Sequence, residues 1–214
     1  MSDFDKLDIL KNVIIKSIAL LICIFIYMEE PKSWMIKIIL ALFFLTLSAN
    51  SYSDQNSPKL EDLFDDLYNA QDISQQNKII SNIWAEWMKI DNPESQKIMD
   101  MVPYFFQTRN YDEAIDALTY VIDQEPNFSE AYNKRATFYF MMGDFENSMK
   151  DIETTLALEP RHFGALDGMS RILISYKKYD QAFKVYEEMM NLMPNDITLH
   201  MKMDRLNNLI YNDA

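Results

Sequence analysis

Three prolines, Pro126, Pro160 and Pro194, stand 34 residues apart, and each interval carries apolar, small and turn-forming residues in the same order. An equal period of this length means that one supersecondary motif is repeated, each copy too small to bury its own apolar face, so that copies must stack. Segment one places Ile98, Met101, Val102 and Phe105, then Ala114, Leu118 and Val121, ahead of its proline. Segment two places Tyr132, Arg135, Ala136 and Tyr139, then Ser148, Ile152 and Thr155; segment three places Leu166, Met169, Ser170 and Leu173, then Ala182, Tyr186 and Met189. Steps of three, four and seven put these residues on one face of a helix. The small residue that opens the second helix of each pair lets it approach the first closely.

These segments resemble tetratricopeptide repeats. The pattern W-x2-L-G-x2-Y, A-x3-F, P is matched in spacing throughout and in residue class at most positions, best over 132–160 with its Gly143-Asp144-Phe145 turn. Arg135 stands where leucine is usual, Ser148 replaces alanine, and Pro103 falls inside the first helix of segment one. The resemblance covers about half the chain and implies an all-α fold, a right-handed superhelical stack of helix-turn-helix repeats (an α-solenoid) with terminal capping helices.

The chain divides accordingly. Residues 1–34 read as an upstream extension or a first hydrophobic segment, 35–53 as a signal peptide, 54–58 as a linker, 59–92 as an N-terminal capping hairpin, 93–194 as three repeats and 195–214 as a C-terminal capping helix. The two apolar runs, 13–28 and 35–49, are interrupted by Lys16 and Lys37, and each is short of the roughly 20 residues a spanning helix needs. The second has the parts of a secretory signal: Met35 as a possible start, Lys37, an apolar core over 38–47, then small residues with cleavage expected after Ser53 or, second, Ser51. Export to the periplasm or medium is the expectation. The alternative is a membrane anchor through the retained N-terminal segments.

In the capping hairpin, Leu60, Leu63, Phe64 and Leu67 form one stripe and Ile79, Ile80, Ile83, Trp84, Trp87 and Met88 another, so the pair is expected to pack on the first repeat. The two tryptophans read as core, with a ligand platform as the other reading. Asn92 before Pro93 marks a helix start, as do Asn110 with Glu113 in a capping-box-like arrangement and Asp144 in segment two. Pro103 should kink its helix, and 197–211 reads as the closing helix.

Several chemistries find no residues to carry them. A net charge of −13 with no basic stripe argues against nucleic acid. Cys23 is the single cysteine and lies in the leader, so nothing downstream can form a disulfide or a thiolate site. His162 and His200 lack metal-ligand spacing and are expected to be solvated or to cap helices. With no phosphate loop and no nucleophile elbow, neither an enzyme nor a cofactor is expected. Fifteen methionines, including Met99, Met101, Met201 and Met203, admit copper(I) ligation as a second reading, but most fall on apolar stripes where methionine fills gaps.

The family resemblance implies that the first helices of successive repeats line a concave groove for peptides. By position those residues are Gln96, Met99, Phe106 and Gln107 in segment one, Glu130, Asn133, Thr137, Phe140 and Met141 in segment two, and Asp167, Arg171, Ile174 and Ser175 in segment three. Some members grip a C-terminal carboxylate with a lysine, asparagine and arginine clamp. Here Met99 and Pro103 stand where that clamp begins, and Asn133-Lys134-Arg135 is out of register by one residue, so tail binding of that kind is not expected. Arg135 should instead pair with a carboxylate between repeats. The function expected is a protein-interaction scaffold of the cell envelope that holds a protein or peptide partner; the alternative is a periplasmic small-ligand or copper(I)-handling protein.

Overall fold

The turn between the two helices of each repeat is made by a left-handed residue, and it recurs at the 34-residue period: Arg109 at φ 57°, Gly143 at φ 80° and Lys177 at φ 56°. Glycine takes that conformation without cost, whereas arginine and lysine take it against about 1–2 kcal/mol. The period therefore holds even where the favoured residue is missing. The computed structural model describes residues 58–212, and among these the secondary structure is nine helices and no strand.

The helices are α1 Pro58–Asn69, α2 Ile73–Trp87, α3 Pro93–Thr108, α4 Tyr111–Gln124, α5 Ser129–Met142, α6 Phe145–Leu158, α7 Phe163–Ser175, α8 Tyr179–Leu192 and α9 Ile197–Asn212. Segments one, two and three are α3–α4, α5–α6 and α7–α8, an all-α repeat stack as expected. The small residues Ala114, Ser148 and Ala182 are all fully buried where paired helices meet, and Ser148 donates its hydroxyl to the Ala136 carbonyl at 2.8 Å. None of the described helices is long and apolar enough to cross a membrane. The apolar runs, the proposed cleavage site, Cys23 and the linker up to residue 57 lie outside the described residues.

Of the three helix starts marked in sequence, two are capped as expected. Asn92 accepts from the amides of Glu94 (3.0 Å) and Ser95 (3.4 Å), and Asp144 accepts from Asn147 at 3.1 Å. Asn110 does not cap α4: its side-chain amide turns to the Glu113 carboxylate at 3.4 Å, so the two side chains meet each other instead of the backbone. Helix α3 runs on through Pro103 to Thr108.

The hairpin α1–α2 corrects a larger expectation. It packs on segment three, sharing a core with Phe163, Leu166, Tyr186 and Met189 of that segment and Leu206 of α9. Trp87 is 1% exposed, against the rings of His162 (4.2 Å, stacked) and Phe163 (4.8 Å). At the same registers segment one has Glu94 and Ser95, which offer no ring to stack on. What reaches segment one is the connection after α2, whose Met88 and Ile90 lie against its core.

Candidate functional site

Between α5, α6 and α7 the first-helix face opens into a cleft of about 340 Å3. Its walls include Asn133, Thr137, Phe140 and Met141 from α5, Ile152 from α6, and Gly164, Asp167, Gly168 and Arg171 from α7. The structure thus brings together six of the thirteen residues placed in the groove by register: Asn133, Thr137, Phe140, Met141, Asp167 and Arg171. Gln96, Gln107, Glu130 and Ser175 do not line it, and the three remaining apolar residues are in cores. Met99 is 1% exposed inside the segment-one core. Phe106 stacks on Phe138 at 4.3 Å. Ile174 packs against the core shared by segment three and the hairpin. Each is apolar and packs into a neighbouring core, so burial outweighs exposure to the groove.

Small side chains make room for the cleft. Gly164 and Gly168 lie one turn apart on α7; a Cβ on Gly168 would come to 3.1 Å from Ile152 Cδ1, and one on Gly164 would come within 2.7 Å of the Trp84 ring. With only three glycines in the chain, two at this spacing were a legible sign of close approach that the sequence reading did not use.

One cleft wall is charged. Arg171, its side chain 57% exposed, donates from Nε to Asp167 at 2.7 Å, and Lys202 of α9 reaches the other Asp167 oxygen at 2.5 Å. Burial pushes the Asp167 carboxyl up, but the hydrogen bonds from Lys202 and Arg171 outweigh it and hold the group below the usual carboxylate range. Burial, then the Asp167 charge, pushes the Tyr186 phenol up to about 12.

The floor beside the cleft holds a buried polar cluster that the sequence reading missed. Glu130 and His162 are both fully buried, 32 residues apart in sequence. The Ala165 amide donates to His162 Nδ1 at 3.1 Å, so that nitrogen is the acceptor and the ring proton sits on Nε2, which donates to Glu130 at 2.9 Å. Asn133 donates to the same Glu130 oxygen at 2.9 Å, and Lys134 lies 2.6 Å from the other. Burial would raise the Glu130 carboxyl; the His162 bond and the Lys134 charge outweigh it and hold it down. His162 is therefore a buried helix cap, not a solvated one. His200 is exposed, with Nε2 2.9 Å from the Pro194 carbonyl.

The basic residues beside Asn133 face away from any ligand role. Lys134 is held by Glu130 and lies over the Trp84 ring. Arg135 pairs with Asp151 through two 2.8 Å bonds, so its carboxylate partner lies within its own repeat and not between repeats, and its bond across to segment one goes to the Thr119 hydroxyl at 2.9 Å. Of the methionines, Met99 and Met189 are core, whereas Met141, Met142 and Met201 are exposed.

A stack of paired helices at a 34-residue period, closed by a terminal helix, is the architecture of a helical-repeat binding protein. The chain is 33% identical over 153 residues to a TPR repeat-containing protein of Rhizobium etli, covering 71% of this chain and 75% of the relative, and it belongs to the tetratricopeptide repeat family. It is 31% identical over 84 residues to Hsp70-Hsp90 organizing protein 3 of Arabidopsis thaliana, spanning 15% of that protein's length. Among solved structures it is similar to the first TPR domain of Spaghetti bound to an Hsp90 peptide (TM-score 0.53, 23% identity, 57% of this chain and 99% of that one). The Sgt2 TPR domain of Aspergillus fumigatus is similar too (TM-score 0.52, 20% identity, 57% and 82%). At these identities the structures carry the fold alone. No family model matches the chain.

Proposed function

We propose that this protein is a non-enzymatic scaffold of the cell envelope that holds a peptide segment of a partner protein in the cleft between α5 and α7. The observation that carries the reading is the cleft itself, where six residues chosen by repeat register line one opening with an apolar floor and a charged wall. Phe140 and Met141 suit an apolar side chain, Asn133 and Thr137 suit a peptide backbone, and Arg171 suits an acidic group. The Spaghetti domain bound to an Hsp90 peptide supports peptide capture by this fold. The mode differs here, because Met99 is buried and Lys134 and Arg135 are committed to carboxylates of the chain itself. The envelope location rests on the signal-like 35–53 segment.

The test is affinity capture from envelope extract with the unsubstituted chain and with a Phe140→Ala, Arg171→Ala variant whose helicity by circular dichroism is unchanged. Loss of the captured protein from the variant is expected. Recovery of the same proteins by both chains contradicts the cleft assignment. Mass spectrometry of the native N-terminus tests the location: a first peptide starting near Asp54 is expected, and any peptide from 1–33 in the mature protein contradicts export.

A further inference from the structure

The hairpin α1–α2 covers an apolar surface of segment three that also carries a buried polar cluster. Trp87 lies flat on His162, 4.2 Å between centres and 11° between planes, and Trp84 meets the same ring edge-on at 5.4 Å. Beneath them the seat is polar: Glu130, His162 and Lys134, with Lys134 Nζ 4.9 Å above the Trp84 ring. Gly164 is bare, which is what admits the Trp84 indole. At the rim Arg161 pairs with Glu61 at 3.0 Å and lies over Phe64, and Asn195 donates to the Ala70 carbonyl at 2.9 Å.

The polar groups of this seat are paired within the repeats themselves. Glu130 binds His162 and Lys134, His162 also accepts the Ala165 amide, and Arg161 holds Glu159 at 3.1 Å. Lifting the hairpin away would leave them paired, so uncovering this surface strands no buried charge. Within the hairpin Lys59 and Lys89 both hold the Glu86 carboxylate, while Leu60, Leu67 and Ile83 are fully buried in the core shared with segment three. Residues 88–92 tether it, and the Asn92 cap starts α3 independently of it.

We propose that the hairpin is a built-in ligand on a second binding surface of the repeats, and that the external ligand of this surface is an amphipathic helix carrying two large aromatic residues one turn apart. The spacing is the one Trp84 and Trp87 display. Such a helix and the hairpin exclude one another, so the apparent affinity for an outside helix falls with the fraction of time the surface is uncovered. Gly164 borders both the seat and the open cleft, yet the inference stands whatever the cleft holds.

The test uses a fluorescent synthetic peptide of residues 72–91, titrated into the full-length chain and into a full-length Trp84→Ala, Trp87→Ala variant. The expected result is binding to the variant about tenfold or more tighter than to the unsubstituted chain, because the tethered hairpin no longer competes. The same peptide with both tryptophans replaced by alanine is expected to bind neither. Equal affinity for the two chains, binding to neither, or binding of the tryptophan-free peptide overturns the proposal. Amide hydrogen exchange on the unsubstituted chain needs no variant: α1 and α2 are expected to open at least about tenfold more often than α5 and α6. One common opening for all four helices contradicts a detachable hairpin. Substituting Phe140 and Arg171 leaves the peptide titration unchanged, so this proposal and the cleft reading fail separately.

Discussion

Segments one and three share a backbone and differ in what covers them. Both turn through a left-handed basic residue, Arg109 and Lys177, and both open the second helix on a fully buried alanine, Ala114 and Ala182. At the same register of the first helix, however, one carries Met99, sealed in the core, and the other Asp167, drawn between Lys202 and Arg171 at the cleft wall. The N-terminal hairpin rests on segment three, where His162 and Phe163 supply rings, and the connection that follows it lays Met88 and Ile90 against the core of segment one. A repeat period thus sets where helices go, while a few side chains at matched registers decide which face is sealed and which is offered.

The contrast can be broken most severely at the joint next to segment three. Glu130→Ala strands Lys134 and His162 around a buried gap and should cost about 3–5 kcal/mol in denaturant unfolding. Glu130 has its folded pKa held below its ordinary value, so its contribution is present above about pH 4.5 and lost as pH falls through the depressed folded value. The acid side of the stability curve should therefore flatten in a Glu130→Gln chain. At the joint on the segment-one side, Arg135→Ala leaves Asp151 buried without its partner, at about 3 kcal/mol; Arg135→Met with Asp151→Leu should recover most of that loss.

A smaller effect isolates the hairpin. Gly164→Ala forces a methyl group against the Trp84 ring and should cost about 1–3 kcal/mol, with faster amide exchange confined to α1 and α2 while segment one keeps its protection. The smallest change goes the other way. Lys177→Gly removes the left-handed strain of the segment-three turn and should raise stability by up to about 1 kcal/mol, as Gly143 already does for segment two.

Much of this was legible in the chain. The proline period, the alanine and serine contacts and the apolar stripes follow from local spacing, and the structure bears them out except at Met101, which is exposed; Arg135 found its carboxylate inside its own repeat. Six cleft residues could be named because the register of α5 and α7 is fixed by the repeat. Met99 and Phe106 failed because register gives a direction from the helix axis, not what lies opposite: the connection after α2 and the Phe138 ring close those positions. The Glu130–His162 contact spans 32 residues, nearly one repeat, and pairs two registers that no local pattern links. The docking of α1–α2 depends on which repeat offers rings to Trp84 and Trp87. That choice lies in tertiary contact, although Phe163 and the bare Gly164 were visible clues.

The placement of the hairpin underlies the division between a sealed segment one and an offered segment three, and proximity measures it directly. Asn127 and Asn195 occupy equivalent sites two repeats apart, in the turns after segment one and segment three, and the Ala70 carbonyl is bonded by Asn195. In a Cys23→Ser chain, cysteine is introduced at Ala70 together with either Asn195 or Asn127, and a short thiol cross-linker is added. Bridging of the 70 and 195 pair with none for 70 and 127 is the predicted result. Bridging of 70 to 127 would place the hairpin on segment one and contradict the account.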